Sequence, residues 1–173
     1  MKKIKLMLAA LFLTVPAASI ALIDVSAFGG YSIPSGSPIN TKGFQYGFNA
    51  HVNRTFYVVL KAGLGGFYRA SNVKVEGADK SRHQLGIDSY GAISIPIFPI
   101  EPYFRFRATA WDRVDSTDYF KAYSWGTRVL FVVLTQDFMR LGVYGEYLCD
   151  MSKNAGLKAY GHSVSLGVRA SFF

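Results

Sequence analysis

The chain has 173 residues, of which 50% are apolar, 16% aromatic and only 17% charged; this is too apolar for a disordered protein and too aromatic for an average soluble domain. Its single cysteine excludes an intramolecular disulfide framework and a multi-cysteine zinc site. The formal charge of +8 is spread along the chain, so the composition does not indicate a nucleic-acid-binding protein.

The first 21 residues have the features of an export signal. Three lysines form a basic region, an apolar run follows from Leu6 to Val15, and small residues then lead to Ala21. The apolar run is too short to span a membrane comfortably as a helix. We therefore expect residues 1–21 to be a cleaved signal peptide and residues 22–173 to be one mature domain. Loss of the three lysines lowers the formal charge from +8 to +5.

From Leu22 onward, apolar and polar residues alternate with a period of two, which is typical of β-strands. Eight such segments follow one another, each long enough to cross a bilayer at a tilt, for which roughly 9–11 residues are needed. Their apolar faces are, in chain order, Ile23, Val25, Ala27 and Tyr31; Phe44, Tyr46, Phe48, Ala50 and Val52; Val58, Leu60, Ala62 and Leu64; Leu85, Ile87, Ile93 and Ile95; Phe104, Phe106, Ala108 and Ala110; Tyr123, Trp125, Val129, Phe131 and Val133; Met139, Leu141, Val143 and Tyr147; and Val164, Leu166, Val168, Ala170 and Phe172.

The connections between these segments alternate in length. Long polar connections are predicted at about 32–42, 69–83, 112–121 and 149–161, and short turns at 53–55, 96–99 and 134–137. Long loops at one end of the strands and short turns at the other end are typical of outer-membrane barrels. An even number of strands places both termini at the short-turn end, facing the periplasm, and the long loops outside the cell.

The charged residues within the strands all lie at the polar positions of the alternation, which we call the polar frame; the apolar positions form the apolar frame. They are Asp24, Lys61, Asp88, Arg105, Arg107, Arg128, Arg140, Glu146 and Arg169. A charge that faces lipid at mid-depth costs roughly 2–4 kcal/mol, so the apolar frame is predicted to face lipid. The aromatic residues of that frame gather near the strand ends, as in the interfacial girdles of membrane barrels. A soluble lipocalin-type barrel, the alternative, turns the apolar frame inward.

These features together resemble the small eight-stranded outer-membrane barrels of the OmpA membrane-domain, OmpX and opacity-protein type. The resemblance covers residues 22–173. We expect an all-β, eight-stranded antiparallel up-and-down transmembrane β-barrel that is monomeric, carries no cofactor and has an envelope-structural or surface-interaction role. The end of the last strand resembles the signal read by the barrel-assembly machinery; its residues are Val164, Leu166, Val168, Ala170, Phe172 and Phe173.

The lumen has two interpretations. An eight-stranded barrel is just wide enough for side chains to fill, and its inward charges can pair into a network that closes it. Inward aromatic residues would fill more space; they are Tyr57, Phe67, Tyr90, Tyr103 and Tyr144. Alternatively, the excess of inward arginines lines a narrow pore that favours anions.

A lipid A-modifying enzyme is the third alternative, since some eight-stranded barrels act on lipid A. Such chemistry needs a nucleophile beside a base, and the three histidines, His51, His83 and His162, form no such pair by spacing. No His, Cys or carboxylate cluster has metal-ligand spacing. Asp112, Asp115 and Asp118 lack the glycine and terminal glutamate of an EF-hand. We therefore predict no catalytic, cofactor or metal site.

The long loops are predicted to interact with the cell surface. Their basic residues are expected beside lipopolysaccharide phosphates; they are Lys42, Arg69, Lys74, Lys80, Arg82, Lys153 and Lys158. The loops could also bind a host surface or another protein. Cys149, at the edge of the fourth long loop, is expected to be an unreactive free thiol.

Overall fold

The computed structural model describes residues 22–35, 43–56, 59–75, 78–95, 98–114, 117–118, 121–154 and 157–172. These residues form nine strands: β1 (Leu22–Ser35), β2 (Gly43–Phe56), β3 (Leu60–Val75), β4 (Ala78–Ile93), β5 (Ile100–Val114), β6 (Thr117–Asp118), β7 (Lys121–Gln136), β8 (Met139–Asn154) and β9 (Leu157–Phe172). The part of the chain so described holds no helix long and apolar enough to cross a membrane. The predicted signal peptide, Tyr57, Val58 and Phe173 lie outside the described residues.

Eight of the strands form a closed antiparallel barrel. The hydrogen-bonded order is β4-β3-β2-β1-β9-β8-β7-β5, and a β4–β5 pairing closes the ring. Strands β1 and β9 are neighbours, with Ile23 opposite Phe172, so the first and last strands seal the wall. The two-residue β6 pairs only with the end of β5. The predicted all-β, eight-stranded up-and-down barrel is therefore confirmed.

The strands are longer, and several connections shorter, than the sequence pattern predicted. The segments expected as long loops at 69–83 and 149–161 are mostly strand, because β3 pairs with β4 up to Val75 and Ala78, and β8 with β9 up to Asn154 and Leu157. The expected turn at 53–55 is also strand. The polar residues of these three segments continue the β-sheet because neighbouring strands of the barrel supply hydrogen-bond partners for their backbone N–H and C=O groups.

A β-bulge in β5 reverses the expected orientation at its loop end. Leu85 lies opposite Trp111 and Gly86 opposite Thr109, so Ala110 is the extra residue. An extra residue shifts every later side chain to the other face. Trp111, expected inside, is therefore 40% exposed, and Asp112, expected in a loop, is 2% exposed inside the barrel.

Small residues make room for the tyrosine rings that fill the lumen. A side chain at Gly63 would meet the ring of Tyr90 within 2.5 Å, and one at Gly167 would meet the ring of Tyr144 at a similar distance. Both tyrosines belong to the buried cluster of Phe28, Tyr90, Ala92, Tyr103, Leu130 and Tyr144. This glycine–tyrosine complementarity packs the narrow interior.

Candidate functional site: the ionic interior and the outer face

The barrel interior contains three clusters of paired charges stacked along the axis, which we name by position. The turn-end cluster centres on Asp24, whose carboxylate accepts hydrogen bonds from Arg169, from Asn53 at 2.6 Å and from Tyr90 at 2.5 Å. Lys61 lies 3.8 Å from the same carboxylate. The three hydrogen bonds all reach Oδ2, and Lys61 faces Oδ1, so hydrogen bonds and an ion pair together replace the water that burial removes from this carboxylate.

Glu101 extends the turn-end cluster toward the short turns. Its carboxylate accepts hydrogen bonds from Arg140 at 2.6 Å, from Ser94 at 2.6 Å and from Tyr103 at 2.5 Å. Arg169 in turn donates to the Tyr103 hydroxyl. The sequence pattern did not single out Glu101, because it lies one residue inside β5 and is flanked by prolines that read as a turn.

The middle cluster joins three arginines to two carboxylates. Arg105 bridges Asp88 and Glu146, and Arg107 does the same at 3.2 and 3.1 Å. Arg128 donates to Glu146 at 2.9 Å, and its guanidinium lies 3.5 Å from the centre of the Tyr144 ring. These charges are almost fully buried, so each depends on its partners rather than on water.

The loop-end cluster contains four charged residues from segments that the sequence predicts to be loops. Arg69 binds both carboxylate oxygens of Asp150, at 3.0 and 3.1 Å, and Arg82 binds Asp112 at 2.9 and 2.5 Å. Gln84 connects the two pairs by accepting from Arg69 and donating to Asp112. The expectation that Arg69 and Arg82 face lipopolysaccharide is therefore wrong: they lie in β3 and β4 and point inward. Asp112 pairs with Arg82 inside the barrel and does not lie in a calcium-binding loop.

The structure thus brings together all nine charged residues predicted for the interior, and adds five that the pattern missed. Those five are Arg69, Arg82, Glu101, Asp112 and Asp150. Their position in the polar alternation is the one sequence signal for them; the unexpected strand length concealed it for Arg69, Arg82 and Asp150, the bulge for Asp112, and the neighbouring prolines for Glu101. Of the other predicted loop cations, Lys80 is partly exposed in β4; Lys42 and the side chains of Lys74, Lys153 and Lys158 lie outside the described residues, as does Asp115.

The outer face of the barrel is apolar across its middle. The described residues of the predicted assembly signal, which are all but Phe173, lie on this face: Leu166 is 72%, Val168 58%, Val164 49% and Phe172 40% exposed, with Ala170 beside them. Among the described residues, the charged side chains on the outward face lie close to a strand end; they are Arg54, Asp79 and Arg113. The outward band between the strand ends therefore carries no formal charge in the described ranges.

The three histidines occupy two different environments. His51 is buried in the lumen, 3.3 Å from Asp88. His83 and His162 lie on the outer face, each stacked on a tyrosine of the preceding strand and 2.7 Å from its hydroxyl, Tyr68 and Tyr147 respectively. His83 on β4 and His162 on β9 are separated by three strands of the barrel wall. Cys149, expected at a loop edge, lies within β8 directly opposite His162.

No family model matches the chain, and no curated protein matches it in sequence. Solved structures do share its fold. The crystal structure of Neisserial surface protein A (NspA) superimposes with a TM-score of 0.54 at 17% identity, covering 86% of this chain and 95% of that chain. The outer membrane protein OprG from Pseudomonas aeruginosa gives a TM-score of 0.51 at 12% identity, covering 88% and 95%. The fold resemblance to small eight-stranded outer-membrane barrels is therefore confirmed.

Proposed function

We propose that this chain is an integral outer-membrane barrel whose lumen is closed by its ionic network and whose role is envelope-structural or surface-interacting. The observation that carries the proposal is the distribution of polarity: charges are paired inside, and large apolar side chains such as Leu64, Ile87 and Leu166 are more than half exposed outside. A barrel in water would need the opposite arrangement, because contiguous exposed apolar surface of this extent aggregates.

The filled interior supports a structural role over transport. Five buried aromatic side chains, Phe28, Phe67, Tyr90, Tyr103 and Tyr144, are each at most 7% exposed, and they lie among the three charge clusters. An ion or solute that passes through has to break buried ion pairs, and breaking such a pair costs roughly 3–5 kcal/mol. This barrier favours a closed lumen.

Export and assembly complete the proposal. Residues 1–21 direct the chain across the inner membrane and are removed. The outward residues between Val164 and Phe172, together with Phe173, are read by the barrel-assembly machinery. Both termini then face the periplasm. At the opposite end, the residues near the strand ends, such as Arg113, contact lipopolysaccharide, and the strand connections present a surface to other cells or proteins.

The test is gel migration of the outer-membrane fraction with and without boiling in detergent. A closed membrane barrel stays folded in detergent until heated, so we expect the protein in this fraction, with an apparent size that changes on boiling. Mass measurement of the same band reports whether residues 1–21 are absent. A protein that is found in the soluble periplasm, with no change on boiling, contradicts the proposal.

A narrow anion-favouring pore is the second candidate, and the charge balance of the lumen favours it. In the three clusters, eight cations face six carboxylates: Lys61, Arg69, Arg82, Arg105, Arg107, Arg128, Arg140 and Arg169 against Asp24, Asp88, Glu101, Asp112, Glu146 and Asp150. The Nε of Arg105, the Nη1 of Arg107 and the Nε of Arg169 have no protein hydrogen-bond partner. Buried donors of this kind favour water or an anion inside the lumen, whereas the equally unpartnered Oδ1 of Asp88 favours water or a cation.

Planar-bilayer recording separates the closed barrel from the pore. For the pore, we expect single-channel steps with a preference for anions. Replacing Arg105 and Arg128 by glutamine should then change both the size of the conductance steps and the anion preference. The closed barrel gives a silent bilayer for the wild type. Each variant is first checked for the heat-dependent gel shift, so that a silent recording reports a folded protein.

A further inference from the structure

Three donor atoms meet on the outer face of β8 and β9. The Sγ of Cys149 lies 3.7 Å from the Nδ1 of His162, the hydroxyl of Tyr147 lies 2.7 Å from that same nitrogen, and the thiol and the hydroxyl are 3.9 Å apart. Cys149 and His162 are directly opposite each other in the ladder, so the backbone holds the two side chains side by side. Neither residue takes part in the interior network.

The separation of sulfur and nitrogen suits a shared metal ion. Zinc binds thiolate sulfur at about 2.3 Å and imidazole nitrogen at about 2.0–2.1 Å. Two such bonds at an angle between tetrahedral and trigonal place the two atoms roughly 3.5–3.8 Å apart. The observed distance of 3.7 Å falls in this interval, so an ion can bind both atoms without movement of either strand.

The surroundings leave the ion accessible from water. Trp125 lies opposite Cys149 on the neighbouring strand β7, and tryptophan marks the level at which membrane apolar core gives way to headgroups and water. Both Cys149 and His162 are partly exposed. Among the described residues no three His, Cys, Asp or Glu side chains converge as metal ligands, and the Tyr147 oxygen and water or a lipid phosphate oxygen would fill the remaining positions around an ion bound to Cys149 and His162.

We propose that Cys149 and His162, assisted by Tyr147, bind one thiophilic divalent metal ion of the zinc type at the loop-side surface of the barrel. On binding, the Cys149 thiol loses its proton to water and a metal–sulfur bond forms. The lone pair of His162 Nδ1 forms the second bond, and the Tyr147 hydroxyl gives up its hydrogen bond to that nitrogen. The site keeps an open position, as metal sites with few protein ligands do.

The chain contains its own control for this proposal. Tyr68 and His83, on β3 and β4, repeat the tyrosine–histidine pair with the same 2.7 Å contact to Nδ1 and a stacked ring. No sulfur contact accompanies that pair in the described structure. If metal binding depends on Cys149, the ion must therefore bind at the Tyr147–His162 pair and not at the Tyr68–His83 pair.

The test is zinc titration of the tag-free, reduced, detergent-extracted folded protein by calorimetry. We expect one Zn²⁺ per chain. Changes to groups that merely orient metal ligands already weaken binding by roughly 10–100-fold, so C149S and H162Q are each expected to weaken it at least about tenfold. Y147F should have a smaller effect and H83Q none. In the cobalt-loaded protein, a thiolate-to-metal absorption band should be present in the wild type and absent in C149S.

Three results overturn the proposal: no stoichiometric zinc binding by the wild type, equal loss in H83Q and H162Q, or cobalt binding without a thiolate band. Each variant is accepted only if it keeps the heat-dependent gel shift, so loss of binding cannot reflect an unfolded barrel. The titration is independent of whether the lumen conducts, and its failure leaves the proposed membrane role unaffected.

Discussion

Replacing Glu146 by glutamine is expected to lower the free energy of unfolding by roughly 3–5 kcal/mol, the cost of removing one partner from a buried ion pair. Glu146 contacts Arg105, Arg107 and Arg128, so its neutral analogue of equal size leaves three buried guanidinium groups with Asp88 as the remaining carboxylate of the middle cluster. Urea unfolding of the barrel in lipid vesicles, followed by the heat-dependent gel shift, measures the change.

The matched control is Asp137→Asn, which makes the same carboxylate-to-amide change in the exposed turn between β7 and β8. Exposed charges contribute about 0–1 kcal/mol, so this variant should unfold close to the wild type. If E146Q and D137N unfold alike, the middle cluster is hydrated and its ion pairs are not what holds the lumen closed. The narrow pore then becomes the better account of the interior.

Replacing Leu166 by arginine is expected to destabilise the membrane-inserted barrel by roughly 2–4 kcal/mol, the cost of a lipid-facing cation near the bilayer midplane. Leu166 is 72% exposed and lies midway along β9 between Tyr160 and Phe172. In a barrel surrounded by water, the same change would replace an exposed apolar side chain with a soluble one and would cost little. The same vesicle unfolding assay measures the difference.

Val133→Arg provides the depth control, because Val133 is 70% exposed but lies near the turn end of β7. An arginine near the interface costs only about 0–1 kcal/mol. We therefore expect L166R to be clearly less stable than V133R, although the two side chains are almost equally exposed. Equal effects of the two substitutions would place the outward face in water and contradict the membrane assignment.

The sequence by itself determined the strand count, the closed all-β class and the face on which most side chains lie. The reason is local: the backbone of a strand turns every second side chain to the same face, so the alternation of Phe44, Tyr46 and Phe48 with Gln45 and Asn49 defines two surfaces before any partner strand is known. Nine interior charges could be assigned from this parity alone, because lipid tolerates apolar side chains but penalises charged ones.

Only the tertiary structure decided which charges pair, where the parity changes and how far the strands extend. Arg105 and Glu146 are 41 residues apart, and they meet because the register across β5, β7 and β8 brings them together inside the barrel. The bulge at Ala110 turned Asp112 inward and Trp111 outward through one unpaired residue that no local pattern marks. The polar ends of β3, β4, β8 and β9 became strand because neighbouring backbones paired with them, and that same pairing placed Cys149 beside His162. Such long-range pairing depends on backbone hydrogen bonds between distant segments, which a one-dimensional alternation of side chains does not encode.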